Sequence, residues 1–279
     1  MPPPASSDLP SEPLARLVAI MQRLRDPEAG CPWDREQTLR SLAPHLLEEA
    51  YEVVEAVELG SPEAVREELG DVLFQVVFYA QLGREEGLWD LDAIARAVGD
   101  KMIERHPHVF GTRRVETSRD VLRHWEADKA ARRAAKAPAT VSPAPPSLLE
   151  GISTAMPAAA RAQKLQERAA RVGFEWVNTQ AVIAKVREEL AELEAEIDAK
   201  TPNPDALEDE MGDVLFVALN LARRLGVDPE TALRRTNRKF ERRFRGIEEG
   251  LAAEGRAFAS ASLADMERLW QAVKQAERA

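Results

Sequence analysis

Hydrophobic residues in this chain recur at the spacing of amphipathic helices. Within residues 42–57 they fall every three or four positions, and a second stripe of this kind covers residues 183–197. Helix-breaking residues end each stripe: Gly60-Ser61-Pro62 in the first case and Thr201-Pro202-Asn203-Pro204 in the second. Ser61 is placed to cap the next helix, with Pro62 in its first turn. Residues 72–82 and 214–225 then read as apolar nearly all round, which predicts helices buried in a bundle.

Composition favours an all-α protein with two domains. The chain has 279 residues, 44% of them hydrophobic and only 5% aromatic, and Ala, Leu, Glu and Arg dominate its long segments. Residues 128–147 contain Ala, Pro and basic residues without an apolar stripe, which is typical of a linker. We therefore predict two helical bundles, residues 14–127 and 148–279, with a disordered tail at residues 1–13.

Charge and cysteine content narrow the classes of function. The formal net charge of −10 argues against non-specific nucleic-acid binding, although a bound metal would still allow an acidic substrate. Cys31 is the single cysteine, so an intramolecular disulfide and a cysteine zinc cluster are both excluded. No apolar run has the length of a membrane span, and we expect a cytoplasmic protein.

The two predicted domains are copies of one another. Residues 67–74 align with residues 209–216, and residues 48–52 align with residues 188–192. Further matches in the same order pair Trp33 with Trp176, Lys101 with Lys239, and Arg105 with Arg243. Several matches in one order indicate an internal duplication.

Each copy carries four carboxylates in two pairs. Residues three apart share a helix face, so Glu49 lies beside Glu52 and Glu68 beside Asp71. The second copy repeats the arrangement with Glu189, Glu192, Glu210 and Asp213. Glu48 and Glu188 face away from the apolar stripes. One such pair is usually solvated surface, but here the second pair opens an apolar helix and the whole arrangement occurs twice.

Four carboxylates beside a hydrophobic core need a cation to compensate their charge. Hard oxygen ligands of this kind suit Mg²⁺, with Mn²⁺ as an alternative. A di-iron bundle would require Glu-x-x-His on two helices. None of the four histidines, His45, His106, His108 and His124, lies three residues after a glutamate, so that reading is excluded.

At these residues the sequence resembles the MazG family of nucleoside triphosphate pyrophosphohydrolases, within the all-α NTP pyrophosphatase superfamily. The resemblance covers nearly the whole chain apart from the tail and the linker. It rests on the two carboxylate quartets together with Cys31-Pro32-Trp33-Asp34, residues 101–110, 172–176 and 237–244. It implies cleavage of nucleoside triphosphates between the α and β phosphates, giving a monophosphate and pyrophosphate, with Mg²⁺ and in a helical homodimer.

Roles for individual residues follow from this chemistry. A metal held by Glu189, Glu192, Glu210 and Asp213 would act as a Lewis acid and activate water, with the general base left open between Glu189 and Glu192. Lys239 and Arg243, one helical turn apart, would hold the phosphates, as would Lys101 and Arg105 in the first copy. Asn220 lies seven residues after Asp213 and is a further substrate candidate. Trp176 and Trp33 stack on a base or fill the core, and we favour the core.

The second copy is the predicted main hydrolase, because Phe78 replaces Asn220 in the first. The first copy, with Glu49, Glu52, Glu68 and Asp71, is expected to bind metal. Two alternatives remain open at this point. One is a regulatory protein in which one or both copies bind nucleotide without turnover. The other is a deoxyuridine-triphosphate or phosphoribosyl-ATP pyrophosphatase, which fits the tandem arrangement less well.

Overall fold

A computed structural model describes residues 9–112, 114, 117, 120–121, 147–201 and 203–278. Across these residues the chain forms helices and no strand, which confirms the all-α prediction. Among them, no helix is both long and apolar enough to cross a membrane. Nearly all of the predicted linker and most of the predicted tail lie outside the described residues.

The chain divides into two compact units, Met1–Lys136 and Ala137–Ala279. In the first unit, the described helices are α1 (Pro13–Leu24), α2 (Pro32–Glu36), α3 (Ala43–Leu59), α4 (Pro62–Glu85), α5 (Leu91–Arg105) and α6 (Pro107–Phe110). In the second, they are α7 (Ala158–Arg171), α8 (Thr179–Ile197), α9 (Pro204–Arg224), α10 (Pro229–Ala253) and α11 (Leu263–Ala276), with a 3₁₀ turn at Phe258–Ser260 before α11. We call the two units the first and second repeat.

A helical hairpin forms the centre of the first repeat. The turn between α3 and α4 is as predicted: Gly60 takes a left-handed conformation with φ of 76°, and Ser61 Oγ accepts a hydrogen bond from the amide of Ala64 at 3.2 Å. Pro62 then fills the first helical position, where a missing N–H costs nothing. The core beneath the hairpin consists of Met21, Leu42, Val77, Phe78 and Leu82.

The second repeat has the same hairpin, built from α8 and α9. Val182 at the start of α8 is fully buried, as is its counterpart Leu42 before α3. Asn203 replaces Ser61 as the cap of the second helix, accepting a hydrogen bond from the amide of Asp205 at 3.1 Å. A separate apolar cluster joins α10 to α11 through Ile247, Leu251 and Leu269.

The prediction that residues 72–82 and 214–225 form helices buried in a bundle is right for one face of each helix and wrong for the other. Leu73 on α4 is 43% exposed and Leu215 on α9 is 58% exposed. Each helix packs against neighbours of its own repeat on one side, where Phe78 and Asn220 are buried, and leaves its opposite face uncovered. An apolar pattern reports that a face is suited to burial, but it does not say which molecule covers that face.

Candidate metal and nucleotide site

The hairpins bring carboxylates from two helices together in each repeat. Oxygen atoms of Glu49, Glu68 and Asp71 all lie within 4.8 Å of one another, and so do those of Glu189, Glu210 and Asp213. We call these groups the first and second acidic cluster. The short turn sets the register of the two helices, so that the pair on the first helix faces the pair on the second. Three of the four carboxylates predicted in each repeat therefore converge.

The fourth carboxylate of each repeat lies at the edge of its cluster. Glu192 is paired with Glu189, and that hydrogen bond is the main cause that raises the pKa of Glu192 above its ordinary value. For Glu52 in the first repeat, desolvation raises the pKa most, followed by the hydrogen bond to Glu49. Like charges crowded at a site raise the pKa of a carboxylate, because they disfavour its charged form. A bound cation would relieve the same repulsion.

Burial and one unpartnered oxygen atom mark the second acidic cluster as a site for a cation. Glu189 is only 5% exposed, although it is a glutamate. Among the described residues, Glu210 Oε2 is buried with no hydrogen-bond donor. Such an atom is costly unless something positive approaches it. Hard, converging carboxylate oxygens are the ligands that Mg²⁺ and Mn²⁺ prefer, so the residues fit a divalent ion.

Asn220 is buried further along α9. Its side chain is 3% exposed, and within the described part of the chain its Oδ1 has no hydrogen-bond partner. The corresponding Phe78 of the first repeat is 1% exposed and belongs to the core. The two repeats thus differ at this position by a buried amide against a buried ring.

Two contacts to the clusters were not predicted. Lys185 Nζ lies 2.8 Å from Glu189 Oε1 and 2.7 Å from Glu188 Oε1. In the first repeat, Gln75 Nε2 donates to Glu49 Oε1 at 3.4 Å. Lys185 is four residues before Glu189, a helical spacing that could have identified it. Gln75 is reached only across the hairpin.

The predicted phosphate-binding residues of the second repeat lie on α10. Lys239 is exposed, whereas Arg243 forms an ion pair at 2.8 Å with Glu277, the residue that caps the end of α11. The guanidinium of Arg243 also lies 5.4 Å from the ring centroid of Trp270. In the described contacts Arg243 therefore engages α11 and not the second acidic cluster. Lys101 and Arg105, their counterparts on α5, are exposed and half-buried respectively.

Residues 31–37 around Trp33 and residues 172–176 around Trp176, which we call the tryptophan segments, are held against the ends of the hairpins. The ring of Trp33 is 51% exposed and packs edge-on against His45 at 5.7 Å, so the core role favoured for Trp33 is wrong. His45 lies four residues before Glu49 on α3, which places Trp33 near the first acidic cluster. Trp176 is half-buried, and its carbonyl accepts a hydrogen bond from Arg224 at 2.9 Å.

Arg25 anchors the segment that contains Trp33. Its Nε and Nη2 donate to the carboxylate of Glu85 at 2.8 and 2.6 Å. Its Nη1 donates to the backbone carbonyls of Asp34 and Gln37. In the second repeat the charges are exchanged, because Arg223 at the end of α9 pairs with Glu175 at 2.5 Å. In both repeats an ion pair thus holds the tryptophan segment against the end of the central hairpin that lies opposite its turn.

Sequence comparisons identify the family. A family model described as the MazG nucleotide pyrophosphohydrolase domain matches the chain twice, at residues 37–110 and 178–246. The chain belongs to the MazG family. Each MazG match contains one acidic cluster, and the second also contains Asn220, Lys239 and Arg243. The predicted tandem of MazG-like domains is confirmed.

Three relatives are similar to this chain over different lengths. The chain is 48% identical over 262 residues to the nucleoside triphosphate pyrophosphohydrolase of Escherichia coli strain K12, covering 94% of this chain and 97% of the relative. It is 41% identical over 258 residues to the nucleoside triphosphate pyrophosphohydrolase/pyrophosphatase MazG of Thermotoga maritima, covering 92% of this chain and 94% of that relative. A Mycobacterium tuberculosis nucleoside triphosphate pyrophosphohydrolase is 38% identical over 165 residues, covering 58% of this chain and 46% of that relative.

Proposed function

We propose that this protein hydrolyses nucleoside triphosphates between the α and β phosphates, releasing a nucleoside monophosphate and pyrophosphate. Membership of the MazG family supports the reaction class, and the second acidic cluster supports a metal-dependent site. The observation that carries the proposal is the convergence of Glu189, Glu210 and Asp213 within 4.8 Å of one another. Free nucleotides as substrates also agree with the net charge of −10, which disfavours nucleic acid. A location in the cytoplasm is part of the same proposal.

Glu189, Glu192, Glu210 and Asp213 would hold Mg²⁺, with Mn²⁺ as a possible substitute. A bound divalent ion supplies Lewis-acid stabilisation of phosphate charge and lowers the pKa of a water molecule. Glu192 lies at the edge of the cluster next to Glu189, and this position suits a carboxylate that also takes a proton from the attacking water. Glu189, buried and paired, suits a ligand role instead.

Positive side chains would receive the negatively charged substrate. Lys239 is exposed on α10 and suits binding of the triphosphate, while Arg243 would exchange its contact with Glu277 for a phosphate. Asn220 would orient the substrate or a ligand carboxylate through its unpartnered amide oxygen. Trp176, Lys101 and Arg105 complete the proposed binding residues. Trp176 would contact the base, and the other two would bind phosphate at the first repeat.

The second repeat is the proposed main catalyst. The first repeat has its own acidic cluster, Glu49, Glu68 and Asp71 with Glu52 at the edge, and we propose that it binds metal. It lacks the buried amide of Asn220, because Phe78 fills that position. Nucleotide binding without turnover is therefore the second candidate function for the first repeat.

A homodimer would cover the exposed apolar faces of the hairpins. Leu69 and Leu73 of α4 are 52% and 43% exposed, and Met211 and Leu215 of α9 are 46% and 58% exposed. Unpartnered apolar faces of this kind support association with a second copy of the chain. Light scattering after size exclusion should give twice the mass of one chain, and Leu215→Glu should weaken the dimer. A monomeric wild-type protein would contradict the proposal.

The reaction is tested by identifying the phosphorus products. Natural and damaged nucleoside triphosphates are incubated with the protein and Mg²⁺, and the products are resolved by ³¹P NMR. Monophosphate with pyrophosphate is the expected result. Diphosphate with orthophosphate would refute the proposed bond, and the absence of product across the panel would refute the enzymatic function.

A further inference from the structure

The two acidic clusters differ in the group that the chain itself places against them. In the second repeat, the ammonium of Lys185 lies 2.8 Å from Glu189 Oε1 and also contacts Glu188. In the first repeat the same position on α3 is His45, whose Nδ1 lies 3.7 Å from Glu48 Oε2. Glu49 accepts its hydrogen bond from the neutral amide of Gln75. One cluster therefore has a resident positive charge on a ligand carboxylate, and the other has a neutral donor.

The ion pair at Glu189 is shielded from water. The side chain of Glu189 is 6% exposed and that of Lys185 is 29% exposed, so solvent screens the pair less than an open surface pair. A divalent ion that binds Glu189 must displace the ammonium or tolerate its repulsion at short range. The neutral Gln75 amide in the first repeat imposes no such repulsion. The ammonium and the metal ion therefore compete for Glu189 because of the positive charge of Lys185 and its position beside that carboxylate.

We propose that Lys185 is a built-in competitor for the metal at the second acidic cluster and sets the concentration of divalent cation that the second repeat requires. This inference rests on the proposed metal site. In the metal-free protein the ammonium stabilises the buried Glu189 carboxylate. When metal binds, the ammonium is displaced from Glu189, and Glu188 at the surface retains it. The second repeat thus requires more free metal than it would with a neutral side chain at position 185.

Direct measurement of Mn²⁺ binding tests the proposal. The full-length chain carries Glu68→Gln and Asp71→Asn, so that binding reports the second cluster, and free Mn²⁺ is measured by electron paramagnetic resonance. Adding Lys185→Met should tighten Mn²⁺ binding about fivefold, the factor expected for a partly exposed ion pair. Arg187→Met removes the same charge from the same helix about 200° around its axis, and should change the Kd less than twofold.

A reciprocal variant keeps the test decisive if Lys185→Met disturbs folding. In a chain carrying Glu210→Gln and Asp213→Asn, His45→Lys installs the ammonium one turn before Glu49. It should weaken Mn²⁺ binding at the first cluster about fivefold. Circular dichroism checks that each variant keeps its helices. If Lys185→Met does not fold, the Mn²⁺ affinity of the His45→Lys chain decides the proposal instead.

Failure of the inference is distinct from failure of the metal site. If Mn²⁺ binds the second cluster equally or more weakly after Lys185→Met in a folded protein, the competitor role is overturned. If the wild-type chain shows no Mn²⁺ binding that Glu210→Gln and Asp213→Asn remove, the metal site itself is wrong, and the inference is overturned with it.

Discussion

Replacing Arg25 with methionine should loosen the tryptophan segment of the first repeat. Arg25 is the common partner of Glu85 at the end of α4 and of the carbonyls of Asp34 and Gln37. Its side chain is only 8% exposed, and its guanidinium lies 5.5 Å from the ring centroid of Phe78. Methionine retains most of the aliphatic volume, so the change removes mainly the charge and the hydrogen bonds.

The size of the effect follows from these contacts. Hydrogen bonds to charged groups contribute about 1.5–3 kcal/mol net, and a guanidinium over an aromatic ring about 0.5–1 kcal/mol. Glu85 keeps 34% of its side chain exposed and stays hydrated after the change, which favours the low end of these values. We therefore expect the opening free energy of this region to fall by about 2 kcal/mol, which is about thirtyfold in the opening constant.

Hydrogen exchange followed by mass spectrometry measures this locally, because denaturation of the whole chain would combine two units. Peptides covering α2 and the last turns of α4 should exchange about thirtyfold faster in Arg25→Met. Arg16→Met, an exposed position on the same helix, is the matched control and should leave exchange unchanged. Equal protection in Arg25→Met and wild type would refute the anchoring role.

The same region also responds to pH, since the hydrogen bond to Arg25 is the main cause that lowers the pKa of Glu85 below its ordinary value of 4.5. The lowered pKa means that the stabilisation is complete above the ordinary value and is lost as pH falls through the lowered one. Protection of the α2 peptides should therefore decrease on acidification in wild type more than in Glu85→Gln. A parallel decrease in both proteins would argue against the carboxylate as its source.

Two further changes test the packing. Gly83→Ala would drive a Cβ into the indole ring of Trp89. It should lower the free energy of unfolding by about 1–3 kcal/mol and lower the melting temperature with it. Gly99→Ala is the control, because a Cβ there meets nothing within 4 Å, and it should leave the melting temperature unchanged. If both glycine variants melt alike, the close approach of Trp89 is wrong. Asp228 caps α10, because its Oδ1 accepts a hydrogen bond from the amide of Thr231 at 2.8 Å. Asp228→Ala should therefore lower the free energy of unfolding by about 1 kcal/mol. Hydrogen bonds from Thr231 lower the pKa of Asp228, so the difference from wild type should be full at neutral pH and shrink as pH falls below the ordinary value of 3.8; a pH-independent difference would contradict the capping role.

Local sequence signals predicted the hairpins well. The positions of Gly60, Ser61 and Pro62 determine where α3 ends and α4 begins, because backbone conformation and capping depend on neighbouring residues alone. The carboxylate spacing placed Glu68 and Asp71 on one face of α4 for the same reason, and the turn brings that face to Glu49. Helical geometry carries this information from residue to residue.

Contacts between distant residues were beyond the sequence pattern. Arg25 meets Glu85 sixty positions later, and Arg243 meets Glu277 thirty-four positions later. Nothing in either helix alone specifies these partners. Lys185 is different, because its spacing from Glu189 made the ion pair available to a helical reading. The exposed Leu73 and Leu215 show the remaining gap, since apolar periodicity cannot tell an internal core from a surface that pairs with another chain.

Steady-state release of pyrophosphate by site variants tests directly whether the second repeat is the main catalyst. We compare Asp213→Ala and Glu210→Ala with Asp71→Ala and Glu68→Ala in the full-length chain with Mg²⁺ and a triphosphate that the wild type hydrolyses. The second-repeat variants should lose at least about a hundredfold in kcat, while the first-repeat variants should keep much of the wild-type rate. Equal loss from both sets, or full activity in Asp213→Ala, would contradict it.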